Sequence, residues 1–147
     1  TGVGFGVVNE LKKSYKREVK GFVAGGSPIK KDNELELDKV QHNYKNLRSQ
    51  CWFQLAKYVN SGMIGITKSI SNQTKTLIIE DLEQMKQINP DKDTKLQVIT
   101  KEEIKEKGGL NRSTDCGDVL MMRMYYEIER RAPLAFRSLN IVKGGVK

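Results

Sequence analysis

Apolar residues recur at intervals of three and four along several stretches of this 147-residue chain. The longest stripe, Val40, Tyr44, Leu47, Cys51, Leu55 and Tyr58, predicts an amphipathic helix over residues 37–60, ended by Gly62. Val7, Val8 and Leu11 predict a helix over residues 3–15 that starts glycine-rich and ends basic. Leu77, Ile78, Leu82 and Met85 predict another over 72–87. A last helix is expected over 115–131, with Pro133 just beyond it. Shorter apolar runs at 19–24, 63–67 and 96–100 read as strands. Gly25-Gly26-Ser27-Pro28 breaks the first, and the Asn and Asp residues around Pro90 form a turn. Residues 30–38 and 101–107 are densely charged, the first read as an exposed loop and the second as a solvated segment. Helices and strands alternate without an internal repeat, which predicts an α/β or α+β class with one small sheet.

The length suits one domain. No apolar run approaches the roughly 20 residues of a membrane-spanning helix. Charge changes the picture more. Lys+Arg total 26 against 18 Asp+Glu, a net +8, which favours a polyanionic partner, DNA or RNA, over a merely basic surface. Lys12, Lys13, Lys16 and Arg17, with Lys20, form the densest basic cluster, a footprint suited to DNA phosphates. Lys101, directly after a predicted strand, is a further candidate phosphate contact. With one histidine, His42, and two cysteines, Cys51 and Cys116, the chain has no cluster for structural zinc and no disulfide framework. A metal here would be held by carboxylates, which means Mg, Mn or Ca.

The candidate chemistry lies in Asn111-Arg112-Ser113-Thr114-Asp115-Cys116-Gly117-Asp118. Two carboxylates three apart at the opening of a helix can approach one cation. The helix N-terminus also favours their charged forms. The same spacing suits plain helix capping, with Asp115 as N-cap and Asp118 completing the box. Gly2, Gly4 and Gly6 do not form the dinucleotide fingerprint, which needs a preceding strand and different spacing. Trp52, Phe53 and the cysteines read as core.

Three segments together resemble the large terminase subunits of tailed phages. Residues 1–11, TGVGFGVVNEL, look like the turn and helix that follow a catalytic Asp in that family. Asn46, Arg48, Ser49 and Trp52 match its Asn-x-Arg-small-x-x-Trp helix, followed by a Gly62-x-Ile64 connection. Residues 111–121 resemble its closing Ser-Pro-Asp-x-x-Asp motif. They occur in the family's order over residues 1 to about 125.

The resemblance implies an RNase H-like α/β fold: a small mixed sheet flanked by helices over 1–131, then a tail over 132–147. It implies the C-terminal nuclease domain of a packaging motor, which cuts concatemeric viral double-stranded DNA using Mg²⁺ or Mn²⁺. Asp118 takes the third acidic position and Asp115 the accessory acid before it. Implied partners are the ATPase domain of the full-length protein, the portal protein and the small terminase subunit, in the host bacterial cytoplasm. Thr114 stands where the family has proline, and Cys116-Gly117 are unusual there. The remaining acidic positions, and the first strand or strands, are expected upstream of Thr1. The chain is therefore expected to be an N-terminally truncated fragment with an incomplete metal site that cuts DNA poorly or not at all. The alternatives are a non-catalytic basic module that binds DNA or portal, and an RNase H-like resolvase or integrase domain. The latter would leave the Asn46/Arg48/Trp52 helix unexplained.

Overall fold

The computed structural model describes residues 3–15, 19–29, 43–107, 110 and 112–129. Five helices follow one another: α1 (Val3–Ser14), α2 (Leu47–Asn60), α3 (Asn72–Glu83), α4 (Lys101–Lys107) and α5 (Asp115–Glu129). Helix α5 packs on both α2 and α3, whereas among the described residues α1 packs on none of the other four helices.

Helix α2 is the centre of the packing. Leu47, Cys51, Trp52 and Leu55 are buried and meet Met121, Met124 and Ile128 of α5, with Val98 closing the cluster. The helix starts ten residues later than its apolar stripe predicts. The cause is local: Asn46 is extended (φ −156°, ψ 173°) and its side chain accepts the Ser49 N–H at 2.9 Å, an N-cap worth about 1 kcal/mol. Two further first-turn amides are taken from outside the helix. Leu47 N donates to Gly26 O at 2.8 Å and Arg48 N to Ala24 O at 3.0 Å. Residues 37–42, which include His42, lie outside the described residues, and Tyr44 forms a bridge instead of a helical turn. At the other end Gly62 adopts φ +65°. Met63 N then reaches Tyr58 O and Gly62 N reaches Val59 O, the paired bonds of a Schellman stop.

The expected strands do not form as strands among the described residues. Two isolated bridges stand in their place, Tyr44 with Leu96 (parallel) and Gln87 with Val98 (antiparallel). Residues 96–99 thus lie between two neighbours, but each pairing is one residue long. Residues 19–24 spend their carbonyls differently: Val23 O accepts Gly26 N in a turn and Ala24 O caps α2. Residues 63–67 expose Met63 and Ile66 and bring only Ile64 against the core. The described part is therefore helical, and the small mixed sheet is not seen in it.

Residues 101–107 form a helix where a solvated segment is expected. Thr100 and Glu103 make a reciprocal capping box: the Glu103 carboxylate accepts from Thr100 N and Oγ1 at 3.0 Å, and Thr100 Oγ1 accepts from Glu103 N at 3.2 Å. Ile104, the single apolar residue of the segment, is buried to 2% exposure.

Candidate acidic site

The site is assembled by three helices. Arg48 on α2 donates from Nη1 to Ile99 O at 2.8 Å, and Ser49, also on α2, has its hydroxyl 3.4 Å from Val98 N. These contacts hold residues 98–99 against α2, and the chain then turns through the Thr100 cap into α4. Lys101, the first residue of α4, reaches Asp118 on α5 and pairs with its Oδ2. Asp118 is 7% exposed. Its other oxygen, Oδ1, is buried and has no hydrogen-bond partner among the described residues; the same holds for Arg48 Nε and Thr114 Oγ1. Burial pushes the Arg48 guanidinium below its ordinary pKa, while Asp118 and Glu102 pull it back up.

Capping of α5 does not fall to the two acids expected to share it. Asp118 N donates to Thr114 O at 2.9 Å, which makes Thr114 the N-cap residue and Asp115 the first residue of the helix. Asp115 is exposed and its Oδ1 accepts the Ser113 hydroxyl at 2.6 Å. The side-chain cap comes from α3: Asp81 Oδ2 accepts Gly117 N at 2.9 Å. Asp81 is fully buried and its Oδ1 accepts from Arg112 Nη1 at 2.5 Å. Arg112 also binds Glu80 at 2.7 Å, and its pKa is raised chiefly by that bond and then by Asp81.

Among the predicted site residues, the structure brings Asp118 and Lys101 together. Asp115 lies one turn nearer the N-terminus, in solvent. Lys12 and Lys13 are exposed on the last turn of α1, Lys13 pairing with Glu10 at 3.3 Å, and Lys16 and Arg17 lie outside the described residues. Lys20 pairs with Glu129 at the far end of α5. Cys51 is core, its thiol pushed up to about 12 by burial, and Cys116 is partly exposed. Among the described residues, no three His, Cys, Asp or Glu side chains converge on one point. Sequence reasoning missed Asp81, and it placed Arg112 in the candidate segment without giving it a role. The signal for Asp81 was present: it falls in register with Ile78, Leu82 and Met85, an acid on the apolar face of its helix.

The fit to a divalent cation can be tested on Asp118. A carboxylate oxygen that is buried and unpartnered lacks the bond that buried polar atoms almost always have. A hard cation prefers oxygen donors of this kind. Asp118 Oδ1 has the donor chemistry of a carboxylate ligand, whereas Asp115 is exposed and engaged by Ser113.

No protein-family model matches the chain, and no curated protein matches it. Among solved structures, the chain is similar to a lysine-to-alanine mutant of the nuclease domain of the large terminase subunit gp2 of bacterial virus Sf6, solved with manganese and β-thujaplicinol. The TM-score is 0.62 at 22% identity, over 84% of this chain and 61% of that one. The same domain with manganese alone gives the same TM-score and identity, over 62% of its length. The chain thus spans about three fifths of the domain it matches. Over the described residues its fold is similar to that of this phage terminase nuclease domain, although the small mixed sheet expected from the motifs is not seen among them.

Proposed function

We propose that this chain acts within the nuclease of a tailed-phage packaging motor, the C-terminal domain of a large terminase subunit that cuts concatemeric double-stranded DNA. The observation that carries this reading is Asp118: an acid buried beside Lys101 and Arg48, with one oxygen left unpartnered, on a fold shared with a nuclease domain solved with manganese. Leaving a buried charged oxygen unpaired costs at least about 1–3 kcal/mol. A cation held by that oxygen would offset this cost.

Asp118 would hold Mg²⁺ or Mn²⁺ through Oδ1, with Asp115 as accessory ligand. A metal bound there would orient the attacking water and stabilise the leaving oxygen. Lys101 neutralises the second oxygen of Asp118 and brings positive charge to the rim, where a phosphodiester would lie. Arg48 adds a second, half-buried positive charge and holds residues 98–99, which deliver Lys101. Lys12, Lys13, Lys16 and Arg17 would track the DNA backbone. The ATPase domain, the portal protein, the small subunit and the host cytoplasm belong to the same proposal.

A second reading is a basic DNA- or portal-binding module. The Lys101–Asp118 pair favours it, because a protein cation already occupies one acid oxygen. Titrating the chain with Mn²⁺, alongside a DNA-binding assay, separates the two. The nuclease reading predicts Mn²⁺ binding that Asp118→Asn removes while DNA binding remains. DNA binding with no Mn²⁺ held at Asp118 supports the module instead.

A further inference from the structure

We propose that Asp81 is the positioning residue of the acidic site: its carboxylate fixes the first turn of α5 and thereby the pairing of Asp118 with Lys101. This rests on the reading of Asp118 as the functional acid. Asp81 lies inside the core with both oxygens engaged, one by Gly117 N and the other by Arg112. Burying an acid is costly unless each oxygen is satisfied, and here each is. Asp118, also buried, leaves one oxygen unpartnered. The two acids therefore divide the work, Asp81 as a fixed anchor and Asp118 as an open ligand.

The anchor acts one residue before the acid it positions. Successive residues of a helix are rotated by about 100°, so holding Gly117 against α3 sets the direction in which Asp118 leaves the helix. Two further contacts remove the remaining freedom. Arg112 also donates to Ser113 O at 3.1 Å and to Leu77 O at 3.4 Å, which ties the segment entering α5 to the same part of α3. Gly117 itself is wedged: a Cβ there would stand 3.0 Å from Asp81 Cβ and 3.0 Å from the Trp52 ring. Helix α5 cannot rotate about its first turn without breaking the Asp81 bond or striking Trp52.

The test is a double-mutant cycle, Lys101→Met with Asp118→Asn, followed by urea denaturation in two backgrounds, wild type and Asp81→Asn. The expected result is a measurable coupling between Lys101 and Asp118 in the wild-type background and its loss in Asp81→Asn. Coupling that is absent in wild type, or equal in both backgrounds, overturns the proposal. A merely structural Asp81 would lower overall stability and leave the coupling unchanged. Should Asp81→Asn fail to fold, hydrogen exchange on the wild-type chain decides. First-turn amides lack intrahelical acceptors, so Gly117 should exchange at least about tenfold more slowly than Cys116. Equal rates overturn the proposal. Neither measurement uses metal or DNA, so failure of the nuclease reading and failure of this one are distinguishable.

Discussion

Gly117 and Asp118 are adjacent and buried, and each is shaped by a different neighbour. Gly117 is small because Asp81 and Trp52 leave no space for a methyl group. In an open helix, Gly→Ala would gain about 1 kcal/mol from propensity. Here both obstacles are rigid: Trp52 is core and Asp81 is held by two bonds, so overpacking of about 1–3 kcal/mol opposes that gain. Gly117→Ala should therefore lower stability by up to about 2 kcal/mol in urea denaturation; a stabilising change of about 1 kcal/mol would contradict the close approach. The unusual Cys116-Gly117 pair in the motif thus has a packing cause at its second position. Asp118 was legible in the sequence because a motif points to it. Asp81 carried one signal, its place on the apolar face of α3, but its role is set by Gly117 and Arg112 across the helix interface.

At the level of elements, the helices were legible wherever an apolar stripe and its stop signals agree, as in α1, α3 and α5. The start of α2 was not, because the stripe continues through Tyr44 while the Asn46 cap ends the helix. Helix α4 was hidden by its charges, with one apolar residue in seven. Its Thr-x-x-Glu box was visible all along and would have placed it. The strands were overread because an apolar run becomes a strand only when a neighbour supplies a ladder; residues 96–99 find single-residue partners. The Lys20–Glu129 pair fastens the segment after α1 to the end of α5, with both side chains 27% exposed. The Lys20 ammonium, assisted by the Tyr125 hydroxyl and opposed by burial, holds the Glu129 carboxyl below its ordinary range. A depressed carboxylate pKa contributes stability above the unfolded value, roughly 4.3, and loses it as pH falls through the folded value. Lys20→Met should thus cost up to about 1 kcal/mol at pH 7 and clearly less near pH 3, read from urea midpoints. An equal cost at both pH values would mean that the side chain acts through packing.

Across the whole molecule, the net charge of +8 suits a polyanionic partner, and the proposed function makes that partner duplex DNA. Duplex DNA binding should weaken steeply with salt, because each phosphate contact releases about 0.9 of a counterion. Exchanging Lys12 and Lys13 for Glu should flatten the log–log slope by about one per lost contact. A slope unchanged by the double substitution would remove α1 from the footprint. The metal claim has the most direct test. Adding Mn²⁺ to the ¹⁵N-labelled chain should broaden amide signals around Asp118 and Asp115, with Lys101 among them, and Asp118→Asn should abolish that broadening. Broadening centred elsewhere, such as the exposed Asp91 and Asp93 turn, or broadening that persists in Asp118→Asn, would contradict the account of this acid as a metal ligand.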